Sequence, residues 1–216
     1  KNFNIIELPE APAPQRLACA DETGFQRASE AAEPARRVTI KIGQGARGCG
    51  AEITELAGLL DAAIVTGPNA SGIVPFSEPR YMTVGGSKGS LSGNYAMNEA
   101  DLAVIIGARA VCQWDSSGTA WKNALSVINF NTEPLHAEHY NRSVAVIGDA
   151  RTNLRRWIEH LKGRGTAPKD GSSEWARALS SKRDEWERFK KARYECPPLY
   201  DEVWKKEILT QPVAIR

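Results

Sequence analysis

Glycines at 43, 45, 48 and 50 follow directly on an apolar, β-branched run, and the segment Gly43-Gln44-Gly45-Ala46-Arg47-Gly48-Cys49-Gly50 leads into a helix-like stretch. A glycine turn in that place lets a ligand approach the backbone and offers amide N–H groups to a phosphate at the helix start. The spacing only approximates Gly-x-Gly-x-x-Gly, so two readings stand, a phosphate cradle and a tight turn without ligand. A second loop, Gly85-Gly86-Ser87-Lys88-Gly89, is built of residues small enough for ligand contact or for a flap, with Lys88 as its cation. Arg109 stands just past another apolar run. Its planar fork of donors suits a phosphate, carboxylate or carbonyl, with a structural salt bridge as the alternative. Thr66 and Ser71 follow a further run and read as edge hydroxyls or as ordinary turn residues. Asn129 and Asn131 occupy the strand end where dinucleotide folds carry the acid that grips a ribose, and Asp149 ends the last run as a helix cap.

Other chemistry is poorly supported. His136 and His139 are three apart without a third ligand, which fits surface or packing histidines better than a metal site. Cys19, Cys49, Cys112 and Cys196 form no CxxC pair, so neither a disulfide framework nor a zinc site is expected, and their usage fits a reducing cytoplasm. Cys112 reads as a small packing residue. With 28 Lys and Arg against 26 Asp and Glu, there is no polybasic field for nucleic acid or an anionic membrane. No apolar run approaches the length of a membrane span.

The elements that must position these residues are the runs themselves. Residues 38–42, 62–66, 102–107, 125–130 and 143–147, with a weaker run at 81–84, are short, β-branched and bounded by turn residues. They lack polar alternation, the pattern of strands buried on both faces of a parallel sheet. Helices are expected at 21–35 capped by Asp21 or Thr23, at 51–60, at 95–100, from a Thr132 cap to 140, at 151–162 behind Asp149, and at 173–193. The expected fold is α/β, a doubly wound six-stranded parallel sheet with a C-terminal helical extension. In such sheets ligands lie beyond the carboxyl ends of the strands, which is where the residues above fall.

Residues 1–20 carry Pro9, Pro12 and Pro14 and read as a linker from a preceding domain. Residues 21–162 read as the sheet domain, and 163–216 as a linker and helical extension towards a further one. The aromatic stripe of Trp175, Trp186 and Phe189 suggests packing against another domain.

Taken in order, Ile42-Gly43-Gln44-Gly45-Ala46, the Gly85-Gly86 loop, the segment from Ala100-Asp101-Leu102 to Gly107-Ala108-Arg109, the Ile128-Asn129 strand end and Val146-Ile147-Gly148-Asp149-Ala150 resemble the central domain of thiamine diphosphate-dependent enzymes of the pyruvate oxidase and acetohydroxyacid synthase type. The resemblance implies a Rossmann-like, deoxyhypusine-synthase-like fold and a domain without catalytic or metal-binding residues of its own. It further implies that thiamine diphosphate and magnesium are held by flanking domains of the parent polypeptide, within a homo-oligomer. Several relatives hold FAD or ADP in this domain, and the matching positions here are Gly43, Gly45, Thr66, Gly86, Arg109, Asn129 and Asp149. Relatives often carry Asp-Ile-Asp where this chain has Asn129-Phe130-Asn131. The Ile-Asn strand end and the Gly-Ser-Lys-Gly loop look closer to the cyclic diketone hydrolase branch.

Two other classes compete. An independent NAD-binding oxidoreductase would need an acid after the second strand and a Tyr-x-x-x-Lys or histidine pair, and neither is present. A ligand-free interaction module would keep the fold and leave its rim empty.

Overall fold

A computed structural model describes residues 18–109, 120–138 and 142–215. In chain order its elements are α1 (Glu22–Ala32), β1 (Val38–Ile42), α2 (Gly50–Leu60), β2 (Ala63–Thr66), β3 (Tyr81–Val84), α3 (Leu91–Glu99), β4 (Leu102–Ile106), β5 (Ser126–Asn131), α4 (Pro134–Ala137), β6 (Ser143–Ile147), α5 (Ala150–Gly163) and α6 (Glu174–Tyr194). A small antiparallel hairpin of β7 (Leu199–Asp201) and β8 (Lys206–Ile208) and a short α7 (Gln211–Ile215) follow. The six main strands pair in parallel throughout, in the order β3-β2-β1-β4-β5-β6. This is the doubly wound α/β sheet that the unbroken apolar runs predict.

The period of two along each strand divides the core into two layers. Ile40, Ile42, Ile64, Val104, Ile106, Ile128 and Phe130 face α1, α2 and α5, whereas Val65, Ala103, Ile105 and Val127 face α3 and α6. On α5, Leu154, Trp157, Ile158 and Leu161 recur at helical spacing and are all buried. Trp157 lies 5.4 Å from the Phe130 ring and donates its indole N–H to Ser29 Oγ at 3.0 Å, tying α5 to both β5 and α1. The aromatic stripe of α6 divides. Trp175 and Leu179 are buried on this sheet, while Trp186 and Phe189 stack on each other near the surface.

Two helix starts differ from the sequence reading. α3 begins at Leu91, four residues before the expected start, because Ser90 is its cap and accepts from the Gly93 amide at 2.8 Å. Thr132 caps nothing. The N-cap is Glu133, which makes no side-chain cap bond, and the turn before it is held by Asn131, whose Oδ1 accepts from the amides of Thr132 and Glu133 at 3.0 and 3.3 Å. Pro9, Pro12, Pro14, Cys112 and His139 lie outside the described residues. Among the described residues no helix is long and apolar enough to cross a membrane, and no group of His, Cys, Asp and Glu stands ready to hold a metal.

Asp149 caps α5 as expected, accepting from the Thr152 amide at 2.8 Å and its hydroxyl at 2.7 Å. The amide bond first, then the hydroxyl, holds its carboxyl below the usual range. A folded value below the unfolded one means stability that is complete above the unfolded pKa and lost as pH falls through the folded value. Asp149→Ala is therefore expected to cost about 1 kcal/mol at neutral pH. That gap should close as pH drops below about 4, which parallel thermal melts of the two proteins would read.

Candidate functional site

The strand order reverses its direction of winding between β1 and β4, and the loops leaving these two strands meet there. The Gly43 amide donates to the Ile106 carbonyl at 2.9 Å and the Gly45 amide to the Gly107 carbonyl at 3.0 Å. A Cβ on Gly43 would meet the Gly107 carbonyl oxygen and stand 2.6 Å from Ala108 Cα; one on Gly45 would lie 2.9 Å from Gly107 Cα. Gly107 itself has φ +57, in the left-handed region. The glycines of this turn thus serve the mutual approach of two loops. They close the crevice with backbone and make a continuous rim, on which a ligand would lie rather than sink.

Arg109 follows on that rim with its side chain exposed. Beside it, Asn131 Nδ2 donates to the Ala108 carbonyl at 3.1 Å, fastening the end of β5 to the β4 loop. Asn129 is fully buried; its Nδ2 donates to the His136 carbonyl at 3.0 Å and its Oδ1 takes no partner among the described residues. Gly43, Gly45, Arg109 and Asn129 therefore gather on three adjacent strands.

The other expected site residues stand farther out. Thr66 is buried at the end of β2, with its hydroxyl 3.1 Å from the Tyr81 hydroxyl. Gly86 follows β3 at the sheet edge, its φ is +120, and its amide donates to Asn94 Oδ1 at 2.8 Å. Asp149 follows β6 at the opposite edge. There its amide donates to the Ala18 carbonyl at 3.1 Å while its side chain is engaged in capping. With strands spaced at about 4.8 Å, the seven residues span about 24 Å of rim. Only an extended ligand would reach them all.

The start of α2, where the glycine turn delivers its amides, already carries an anion. Glu52 is buried in the first turn of α2, 2.9 Å from Arg155 and 3.7 Å from Arg151, in a position the helix dipole favours. Arg151 also donates to the Gly48 carbonyl. Burial pushes the Cys49 thiol up, against the opposing Arg151 hydrogen bond, so Cys49 is a packed thiol. Ser71 behaves as a turn residue, donating to the Pro68 carbonyl at 3.2 Å. Lys88 is exposed at its loop tip.

Three features escaped sequence reasoning. Lys41, in the middle of an apolar strand, is only 1% exposed and stands 6.0 Å from the Trp121 ring. It lies in one row of the sheet with Ile105 and Asn129. Thr83, at φ +68, is a β-branched residue in a left-handed conformation, held by a 2.6 Å hydrogen bond to Ser90 Oγ. Such strain persists only where the surroundings enforce it. Here it steers β3 into the Gly85–Gly89 loop. Arg151 gave no local signal at all.

Residues 25–157 match the family model described as thiamine pyrophosphate enzyme, central domain. The chain is similar to acetolactate synthase 1, chloroplastic, of Zea mays, at 22% identity over 95% of this chain and 32% of the relative. It is similar to 3D-(3,5/4)-trihydroxycyclohexane-1,2-dione hydrolase of Listeria innocua, at 30% identity over 68% of this chain and 22% of the relative. Pyruvate oxidase of Lactiplantibacillus plantarum matches at 24% identity over 76% and 26%. The chain spans about a third of the length of the first of these relatives and less of the others. The family match covers more than half of the chain and falls on the sheet and helices that build the rim, as the resemblance from Ile42 to Ala150 anticipates. This chain belongs to the central-domain family of thiamine pyrophosphate enzymes.

Proposed function

We propose that this chain is the nucleotide-site and scaffold domain of a thiamine diphosphate-dependent enzyme that makes or breaks carbon–carbon bonds, with FAD or ADP lying across the strand-end rim. The observation that carries this reading is the meeting of the β1 and β4 loops at the switch point, beside an exposed Arg109. These fit a nucleotide: Arg109 would take the diphosphate as a charge-assisted pair, and Asn129, buried beneath the rim with its amide on the His136 carbonyl, would hold the end of β5 in place. Gly43 and Gly45 would keep the rim free of side chains. Gly86, Thr66 and Asp149 would shape its two flanks. Thiamine diphosphate, which supplies carbanion stabilisation, and magnesium would be held by flanking domains of the parent polypeptide. The exposed Val203, Trp204, Leu209 and Ile215 around the hairpin support such a neighbour. A cytoplasmic homo-oligomer is part of the same reading.

A ligand that binds only the folded state raises its stability by about 2.7 kcal/mol at a hundred times its Kd. For a chain of this size that is about 5–10 °C in Tm. The expected result is such a shift with FAD or ADP, and none with NADH. A shift with NADH alone would favour an oxidoreductase, and no shift with any of them an interaction module. The chain by itself is also expected to show neither diketone cleavage nor decarboxylation with thiamine diphosphate and magnesium; turnover would contradict the proposal.

A further inference from the structure

At the opposite edge of the sheet, away from the rim, lies a cavity of about 310 Å³ lined by Arg36, Arg37, Tyr95, Ser173, Glu174, Trp175 and Ala178. Three things converge on it. The first is a pair of arginines at the entry to β1. Their backbone amides both donate to the Asp101 carboxylate at 2.9 Å, so their positions are fixed by the fold rather than by their side chains. Arg37 is 3.4 Å from Glu99, whereas the Arg36 guanidinium takes no ion-pair partner among the described residues. The second is an aromatic wall. Tyr95 and Trp175 stack with ring centroids 6.0 Å apart, and Trp175 is locked by its indole N–H on the Val38 carbonyl at 3.2 Å. The third is the first turn of the 21-residue α6, where Ser173 caps the Ala176 amide. The Ser173 hydroxyl in turn donates to the Asp61 carboxylate, which with Glu174 makes this side of the cavity acidic.

We propose that this cavity is a second ligand site, independent of the nucleotide reading, and that it takes a small organic anion with a planar apolar body. The oxyanion lies on Arg36, assisted by Arg37. The ring lies against the edge of the Tyr95–Trp175 stack, whose faces are taken by each other and, on Tyr95, by Lys182 Nζ at 5.1 Å. Glu174 at the mouth repels a second negative group, so the site selects a singly or doubly charged headgroup over an extended polyanion such as a nucleoside triphosphate. The size suits this class, being at the small end for ligand pockets.

The test uses the whole chain with phenyl phosphate as probe, followed by tryptophan fluorescence and by Tm. Expected is saturable binding in the millimolar range or tighter, with inorganic phosphate at least about tenfold weaker because it leaves the aromatic wall bare. Arg36→Met should weaken phenyl phosphate by about tenfold or more, while Arg109→Ala, on the far rim, should leave it unchanged. Because the Arg36 side chain makes no hydrogen bond or ion pair among the described residues, the variant should melt as the parent does, and its own Tm checks this. No saturable response, equal affinity for the two phosphates, or an Arg36→Met protein that binds like the parent would each overturn the proposal. Loss of binding in Arg109→Ala would place the anion on the rim instead.

Discussion

Gly43→Ala is expected to destabilise the chain by about 3 kcal/mol, far more than one methyl group costs at an ordinary position. Gly43 has φ −108, open to any residue, so the cost is steric and not conformational. The added carbon would meet the Gly107 carbonyl oxygen and stand 2.6 and 2.7 Å from Ala108 Cα and Cβ. Two of these are backbone atoms of a strand end held on both sides, and they yield only if β4 shifts away from β1. A drop in Tm of about 6–12 °C follows for a chain of this length. Gly58→Ala supplies the contrast. It lies within α2 with nothing within 4 Å of its added carbon, so the better helix propensity of alanine should raise stability by about 1 kcal/mol. If both substitutions behaved alike, the contact between the two loops would be lost as an explanation of the glycine turn.

Trp157→Ala should cost about 3–5 kcal/mol, enough to leave the chain marginal. The indole is completely buried between Phe130 and the helix α1, and removing it also deprives the Ser29 hydroxyl of its donor. Trp157→Phe keeps the ring contact and loses mainly the hydrogen bond, so about 1–2 kcal/mol is expected. Urea titration separates the two, with the midpoint moving and the slope unchanged if the loss is one of stability alone. A slope that fell sharply would mean that α1 and α5 had already parted from the sheet before unfolding.

The strands were legible because a strand covered on both faces has no reason to alternate, and an apolar run of four or five residues between turn residues has few other uses. Handedness and strand order then place the carboxyl ends on one rim without further information. α3 was legible only in its second half. Ser90, Ser92 and Gly93 look like loop residues, yet Gly93 is small because a Cβ there would strike the Val84 carbonyl, and Ser92 is buried with its hydroxyl on the Met82 carbonyl at 2.9 Å. Close packing of a helix on a strand selects the same small residues as a loop does.

The site was legible as a set of strand ends and no further. Nothing local distinguishes a glycine that admits a ligand from one that admits Gly107. Nor does the sequence reveal that the Thr66 hydroxyl is satisfied by Tyr81, or that Asp149 gives its oxygen to Thr152. Lys41 went unnoticed for the opposite reason, since a buried-strand pattern gives no place to a charge.

The most direct test is amide hydrogen exchange of the chain with and without ADP, read segment by segment. New protection is expected at 43–49 and 107–109, with a smaller effect at 85–89, and none at 36–37 or 173–178. Protection confined to the far edge of the sheet, or none anywhere at saturating ADP and FAD, would contradict it.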